Sequence, residues 1–372
     1  MRIAIDLTWM KPKKSGGVES YIRNLLDGFK ILEDNNEYYL LTAKDNENEF
    51  DKYLEDSRFK QIKCNTNAND VIGHLLWQNT KQYKILKKNK FDFCFFPVYE
   101  MPILQCKKIK KVVVIHDILA FHYPKHFSIF ENIWFRISWK RDIKLADKVI
   151  AITKFTRDDL KENILNKDNI DFIHIPIELN TTNNENTGIL EKYNLKENEY
   201  YYTVESLHKH KNLETLIRMI NVLKDRKEDI PKKLVISGVS GSQKEELINK
   251  IKENNLSDNI ILTGFVSNDE RNELIKKCNI FLFSSIFEGF GMPPIEAMML
   301  GSKVLTTKRA SIPEVTKNKC YYVEDPFDEN EWIDKIKQIQ NEEKKVITFD
   351  EYDKEKIARK YLDTFYSVYK LN

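Results

Sequence analysis

The sequence predicts an α/β chain built as two doubly wound parallel-sheet domains, and three observations carry that prediction. The chain has 372 residues, which at roughly 100–200 residues per domain makes two domains. Short β-branched, apolar runs alternate with helical patterns, as parallel sheets with right-handed crossovers require. The alternation is interrupted once, by the polar stretch Asn180–Tyr200, which opens Asn-Thr-Thr-Asn-Asn-Glu-Asn-Thr-Gly and reads as a linker. The expected boundaries are 1–180 for the first domain, 195–350 for the second, and 351–372 for a closing helix.

In chain order, the first strand is Arg2–Thr8, around Ile3-Ala4-Ile5, followed by a helix over Ser20–Leu32. Strands Tyr38–Thr42, Asp92–Pro97, Lys111–His116, Lys148–Thr153 and Asp171–Pro176 continue the sheet. Runs such as Phe93-Cys94-Phe95-Phe96 and Val112-Val113-Val114-Ile115 are apolar throughout, as strands covered on both faces are. Helices Asn132–Leu145 and Thr156–Asn163 supply the last crossovers. The second series is Tyr200–Glu205, Lys233–Gly238, Asn259–Phe265, Phe281–Ser285, Lys303–Thr307 and Cys320–Glu324. It alternates with helices Asn212–Asp225, Gln243–Asn254, Asp269–Cys278 and Pro294–Leu300. The final helix, Asp353–Tyr369, carries Ile357, Tyr361, Leu362, Phe365, Tyr366 and Tyr369 on one stripe. In doubly wound sheets ligands bind at the carboxyl ends of strands, so the expected site is a cleft between the domains.

Lys+Arg 60 against Asp+Glu 57 gives a net charge of +3, too balanced for a dedicated nucleic-acid binder. No apolar run approaches the ~18 residues that span a bilayer. Asp6 interrupts any signal-peptide core, so a cytoplasmic location is expected. The five cysteines lack CxxC spacing and read as buried, reduced thiols.

The densest segment runs from Ser284 to Gly301. A buried strand ends in a glycine-rich turn with Gly289 and Gly291. A helix follows with proline at its first position and stops at Gly301. Free N–H groups and the dipole at that helix start suit a phosphate. Glu288 on the loop and Glu296 in the first turn accept hydrogen bonds from hydroxyls. Phosphate donors bracketed by hydroxyl acceptors describe a site for a sugar nucleotide, with Glu288 on the sugar and Glu296 on the ribose. The bland alternative is turn glycines and a carboxylate complementing a helix dipole.

This segment resembles the Glu-x7-Glu signature, within E-G-F-G-x-P-x-x-E-A, of the retaining glycosyltransferase family four, bacterial polysaccharide enzymes among them. Weaker matches follow in the family's order: Ser15-Gly16-Gly17-Val18-Glu19, Val114-Ile115-His116-Asp117, Ala151 to Thr156, Lys211-Asn212-Leu213 and Ile312-Pro313-Glu314-Val315. The resemblance implies the GT-B fold, with acceptor binding in the first domain and donor binding in the second. It implies that His116 contacts the sugar, and that Lys211, the Gly16-Gly17 loop and the amides around Phe290 and Gly291 meet the departing diphosphate. Ser206 and Val266 are expected to border the nucleotide. No metal is expected, since the chain lacks a DxD-type pair, and no cofactor. The chain departs from the family at Glu205, where glycine is usual, and in His208-Lys209-His210 before Lys211.

The expected reaction is transfer of a hexose such as mannose or rhamnose from a nucleotide sugar to a saccharide, lipid-linked or free, in O-antigen or capsule synthesis. The rival is a non-catalytic nucleotide-sugar-binding or scaffold subunit, which Glu205 favours. Phe127–Arg141 mixes aromatic and basic residues; it reads either as core packing or as contact with an anionic membrane at the inner face of the plasma membrane. The lysine runs 107–111 and 87–90 would add to that contact. The closing helix is expected to cross back onto the first domain as a second tether at a hinge, and its removal to abolish transfer while both halves stay folded.

Overall fold

The computed structural model describes residues 1–12, 16–99, 101–179, 186–239 and 242–370. The chain forms two compact units. The first is Met1–Glu178 together with the segment from Asp350 to the C-terminus; the second is Leu179–Phe349. Ser15, in the Gly-Gly motif, and residues 180–185 of the linker lie outside the described residues.

The first unit holds β1 (Arg2–Asp6), β2 (Glu37–Thr42), β3 (Phe59–Lys63), β4 (Phe93–Phe96), β5 (Lys110–Ile115), β6 (Lys148–Ala151) and β7 (Ile170–Phe172). They form one parallel sheet in the order β3-β2-β1-β4-β5-β6-β7. The second unit holds β8 (Tyr201–Val204), β9 (Leu234–Ser237), β10 (Ile260–Gly264), β11 (Ile280–Phe283), β12 (Val304–Thr307) and β13 (Tyr321–Val323). These are parallel in the order β10-β9-β8-β11-β12-β13. Strand order therefore reverses between β1 and β4 in the first unit and between β8 and β11 in the second. In doubly wound sheets such a switch point is where ligands bind.

The strands predicted from apolar runs are present, shortened mostly at their carboxyl ends where the polar residues turn into loops. β4 is buried along its whole length. β3 was not anticipated: Phe59-Lys60-Gln61-Ile62-Lys63 is an edge strand with Lys60 and Lys63 exposed and only Phe59 buried. Helices Val71–Trp77, Tyr83–Asn89 and Glu329–Ile339 were also missing from the sequence reading. The thiols are unpaired, with Cys64, Cys94 and Cys278 buried but Cys106 and Cys320 only half-buried.

The closing helix, Lys354–Lys370, is part of the first unit. It buries Ile357, Ala358, Tyr361, Leu362, Phe365 and Val368, while Tyr366 and Tyr369 remain 37% and 41% exposed. Its partner is the helix Gly16–Ile31. At Gly28 an added Cβ would stand 2.4 Å from the Lys354 carbonyl oxygen, so only glycine lets the two backbones approach this closely. The Phe365 ring meets Phe95 at 5.4 Å, Phe93 at 5.8 Å and Phe29 at 6.3 Å. The helix thus forms part of the core of the first unit, as expected of a helix crossing back onto the first domain.

Candidate functional site

In the second unit the loops after β8 and β11 meet at the switch point. Hydroxyl side chains tie them together. Ser284 Oγ donates to the Lys211 carbonyl at 2.8 Å, and Ser285 Oγ to that of His210 at 3.2 Å. The Ile286 N–H also donates to His210 O, at 2.8 Å. Thr307 Oγ1 holds the Ser285 carbonyl at 2.5 Å. From the next strand's loop, Ser311 Oγ donates to the carbonyls of Glu288 and Phe290 at 2.8 and 3.1 Å. These bonds hold the carbonyls of Ser285, Glu288 and Phe290 and so fix the course of the loop.

Lys211 closes the short 3₁₀ turn Lys209–Lys211, and Asn212, at φ 53°, separates it from the helix Leu213–Lys224. Its Nζ donates to Glu288 Oε1 at 2.5 Å, with the two side chains 21% and 13% exposed. The structure thus joins two residues 77 positions apart into one partly buried ion pair.

The helix after the loop is Met292–Met299. Gly291, at φ 89°, precedes it in a conformation that only glycine adopts without strain. It begins at Met292 rather than at a proline, and Pro293 and Pro294 have no N–H to offer. The expected anion hole is therefore narrower, resting on Gly291 and Met292. The helix stops as predicted: Gly301 N–H reaches Met298 O at 3.1 Å and Ser302 N–H reaches Ala297 O at 2.9 Å, a Schellman closure.

Glu296 lies in the second helical turn, not the first, and is 6% exposed. Burial raises its carboxyl above the ordinary range, and Arg271 pulls it partly back. Arg271 Nη1 lies 3.3 Å from Glu296 Oε2, and its Nε is buried without a partner. Arg271 belongs to the helix Asn268–Lys277, positioned by the Ser267–Glu270 capping box. Sequence reasoning missed it because nothing local marks one arginine in a polar helix. Ser206 and Val266 are half-buried on the loops after β8 and β10, and Phe290 is 4% exposed.

Glu205 follows β8 directly and is 4% exposed. Desolvation pushes its carboxyl well above the ordinary range; Lys211 opposes that and Glu288 adds to it.

In the first unit, Gly16 and Gly17 are exposed and form the first turn of the helix Gly16–Ile31, not a free loop. One turn on, Tyr21 meets His116 edge-on with ring centroids 5.1 Å apart. His116 Nε2 pairs with the Pro97 carbonyl at 2.8 Å. Burial lowers its pKa to about 4, so near neutral pH the ring is uncharged and Nε2–H is the donor. A pocket of about 400 Å³ opens beside it, lined by Trp9, Lys11, Val18, His74, His116 and Asp117 among others. Lys211, Glu288, Glu205 and Glu296 belong to the second unit; His116, Gly16 and Gly17 belong to the first. Among the described residues no group of His, Cys, Asp and Glu is placed to hold a metal ion.

Residues 187–356 match the family described as glycosyl transferases group 1, and residues 15–181 match glycosyltransferase family 4. The O-antigen chain mannosyltransferase RfbU of Salmonella typhimurium is 27% identical over 296 residues, covering 78% of each chain. Among solved structures, a sucrose-phosphate synthase from Thermosynechococcus elongatus superimposes with a TM-score of 0.75 over all of both chains, at 14% identity. Anabaena HepE, solved with UDP and glucose, gives 0.70 over 99% of this chain and 100% of its own, at 16% identity. The fold is thus the GT-B type, two Rossmann-like parallel-sheet domains.

Proposed function

The chain belongs to the family-four, group 1 glycosyltransferases of bacterial polysaccharide synthesis, and we propose that it moves a hexose, mannose or rhamnose, from a nucleoside diphosphate sugar to a saccharide hydroxyl with retention at the anomeric carbon. The second unit takes the donor and the first unit the acceptor. The observation that carries this reading is the Lys211–Glu288 pair at the switch point of the second sheet. A cation there faces the charge that grows as the sugar–phosphate bond breaks. The carboxylate beside it accepts from sugar hydroxyls. Lys211 and the backbone of the Phe290–Gly291 turn neutralise the leaving group in this scheme, with no metal ion. As the C1–phosphate bond breaks, the acceptor oxygen bonds to C1 on the same face and its proton passes to the departing phosphate.

Glu296 and Arg271 form the ribose end. Glu296→Ala is expected to weaken binding of the free nucleoside diphosphate by ~1.5–3 kcal/mol, the scale of a hydrogen bond to a charged group. Calorimetry showing equal affinity in parent and variant would remove Glu296 from the nucleotide site. The overall reading is tested by incubating the chain with GDP-, UDP- and dTDP-hexoses and saccharide acceptors, and determining product configuration by NMR. Nucleotide binding without turnover on any acceptor would favour the scaffold reading, to which the buried Glu205 lends support.

We also place the acceptor on a lipid carrier at an anionic membrane. The helix Ile129–Leu145 turns Ile129, Phe130, Ile133, Trp134 and Ile137 outward at 40–86% exposure, which argues against core packing for that face. Arg136, Lys140 and Lys144 are exposed on the same helix. Both lysine runs reach one pocket of about 690 Å³, where Leu86, Phe91 and Ile109 line the wall with Lys87, Lys90 and Lys107. Apolar side chains flanked by cations suit the interface of an anionic bilayer. Among the described residues no helix is long and apolar enough to cross a membrane. Replacing Phe130 and Trp134 by serine is expected to cut sedimentation with phosphatidylglycerol vesicles by about tenfold, since each buried CH₂ contributes ~0.8 kcal/mol. Unchanged sedimentation would exclude this face.

A further inference from the structure

Glu205 is a poor residue for the place it occupies, unless it is uncharged. Its backbone is fixed on both sides. The N–H donates to Ser237 O at 3.1 Å, and an added Cβ on Gly238 would stand 3.2 Å from the Glu205 carbonyl oxygen. The side chain is 4% exposed, and Oε1 is buried with no hydrogen-bond partner. Two charged groups act on it. Lys211, from the 3₁₀ turn, would stabilise a carboxylate, but its Nζ is already bonded to Glu288 at 2.5 Å. Glu288, from the loop after β11, repels one. Ordinary chemistry resolves this by leaving the proton on, because a buried acid without a committed cation prefers its neutral form.

Neutrality changes what the residue can do. A carboxylate beside Lys211 would repel a diphosphate. A carboxylic acid has an O–H donor and no charge. We propose that Glu205 works as a neutral acid that donates a hydrogen bond to a phosphate oxygen of the bound nucleoside diphosphate. The proton stays on the carboxyl, and the residue positions the ligand rather than transferring anything. The inference rests on the reading that the second unit takes a nucleoside diphosphate. It accounts for an acid at the switch point without loss of the donor site. An incoming diphosphate would hold the proton more tightly still, so binding and protonation are linked.

The test is calorimetric titration of the full chain with GDP, UDP, dTDP and ADP, from about pH 7 to about pH 9.5, in buffers of different ionisation enthalpy. Parent affinity is expected to be flat at the lower end. Once pH exceeds the carboxyl pKa it falls by up to about tenfold per pH unit, with one proton taken up per ligand bound. Glu205→Gln keeps an N–H donor and the shape. It is expected to bind within about threefold of the parent near pH 7 and to lose both the decline and the proton uptake. Glu205→Ala, checked as folded by urea unfolding, loses the donor and binds about tenfold more weakly near pH 7, the scale of one such bond. Three results overturn the proposal: Glu205→Gln as weak as Glu205→Ala, Glu205→Gln tighter than the parent near pH 7, or all three chains alike at every pH. Failure of the parent to bind any of the four nucleotides overturns the nucleotide reading instead, and this inference with it.

Discussion

Lys211→Ala is expected to lower turnover at saturating donor by about 10²–10³, the usual cost of removing one electrostatic stabiliser of a developing charge. Affinity for the free nucleoside diphosphate should fall less, because the charge on the bridging oxygen grows only as the sugar departs. The ion pair makes the prediction sharper. Lys211 Nζ is held by Glu288 at 2.5 Å, so the ammonium is already in place before the donor arrives. Removing Glu288 instead would take from a partly buried cation the carboxylate that it is bonded to. Two side chains acting as one unit are not additive: Lys211→Ala/Glu288→Ala should cost about as much as the worse single variant. Near-normal turnover for Lys211→Ala at saturating donor would refute the assignment. Fully additive losses would show that the two residues act separately.

Much of this architecture was legible in the sequence because it is written locally. Buried parallel strands are short unbroken apolar runs, and Val112-Val113-Val114-Ile115 can hardly be anything else. Helix stops were legible where one residue decides them, as at Gly301. β3 escaped because an edge strand needs little apolar content, and Phe59-Lys60-Gln61-Ile62-Lys63 supplies little. The site divides the same way. The Glu288–Glu296 string announced itself as a motif, but its partners did not. Lys211 meets Glu288 and Arg271 meets Glu296 only because β8, β10 and β11 bring their loops to one end of a sheet. Sequence spacing contains no such distances. Pro293 and Pro294 were in plain view, and their missing N–H groups follow from composition alone; the motif drew attention to the glycines instead. Glu205 was visible as an oddity, and only its burial beside a committed lysine gives the oddity a chemical meaning.

Deleting residues 353–372 is expected to unfold the first unit while the second stays folded. The first unit's core is not complete without the closing helix, whose Phe365 and Tyr361 are fully buried among Phe29, Phe93, Phe95 and Tyr21. Phe365→Ala alone should cost ~3–5 kcal/mol, the range for truncating a buried phenylalanine. That is a large share of the ~5–15 kcal/mol by which domains are stable. Gly28→Ala should act from the other side, because its methyl group meets the Lys354 backbone rather than a side chain that can swing away. The consequence reaches the site. Tyr361 and Tyr21 share a buried hydroxyl hydrogen bond of 2.9 Å, and the Tyr21 ring packs against His116. Tyr361→Phe therefore keeps the packing but leaves the Tyr21 hydroxyl without its partner, costing ~1–3 kcal/mol. Hydrogen exchange followed by mass spectrometry separates the units. The expected result for the truncated chain is loss of protection in β1, β4 and β5 with β8, β9 and β11 unchanged. Full protection of β1 and β4 in the truncated chain would show that the helix is an accessory, and that the aromatic cluster closes without it.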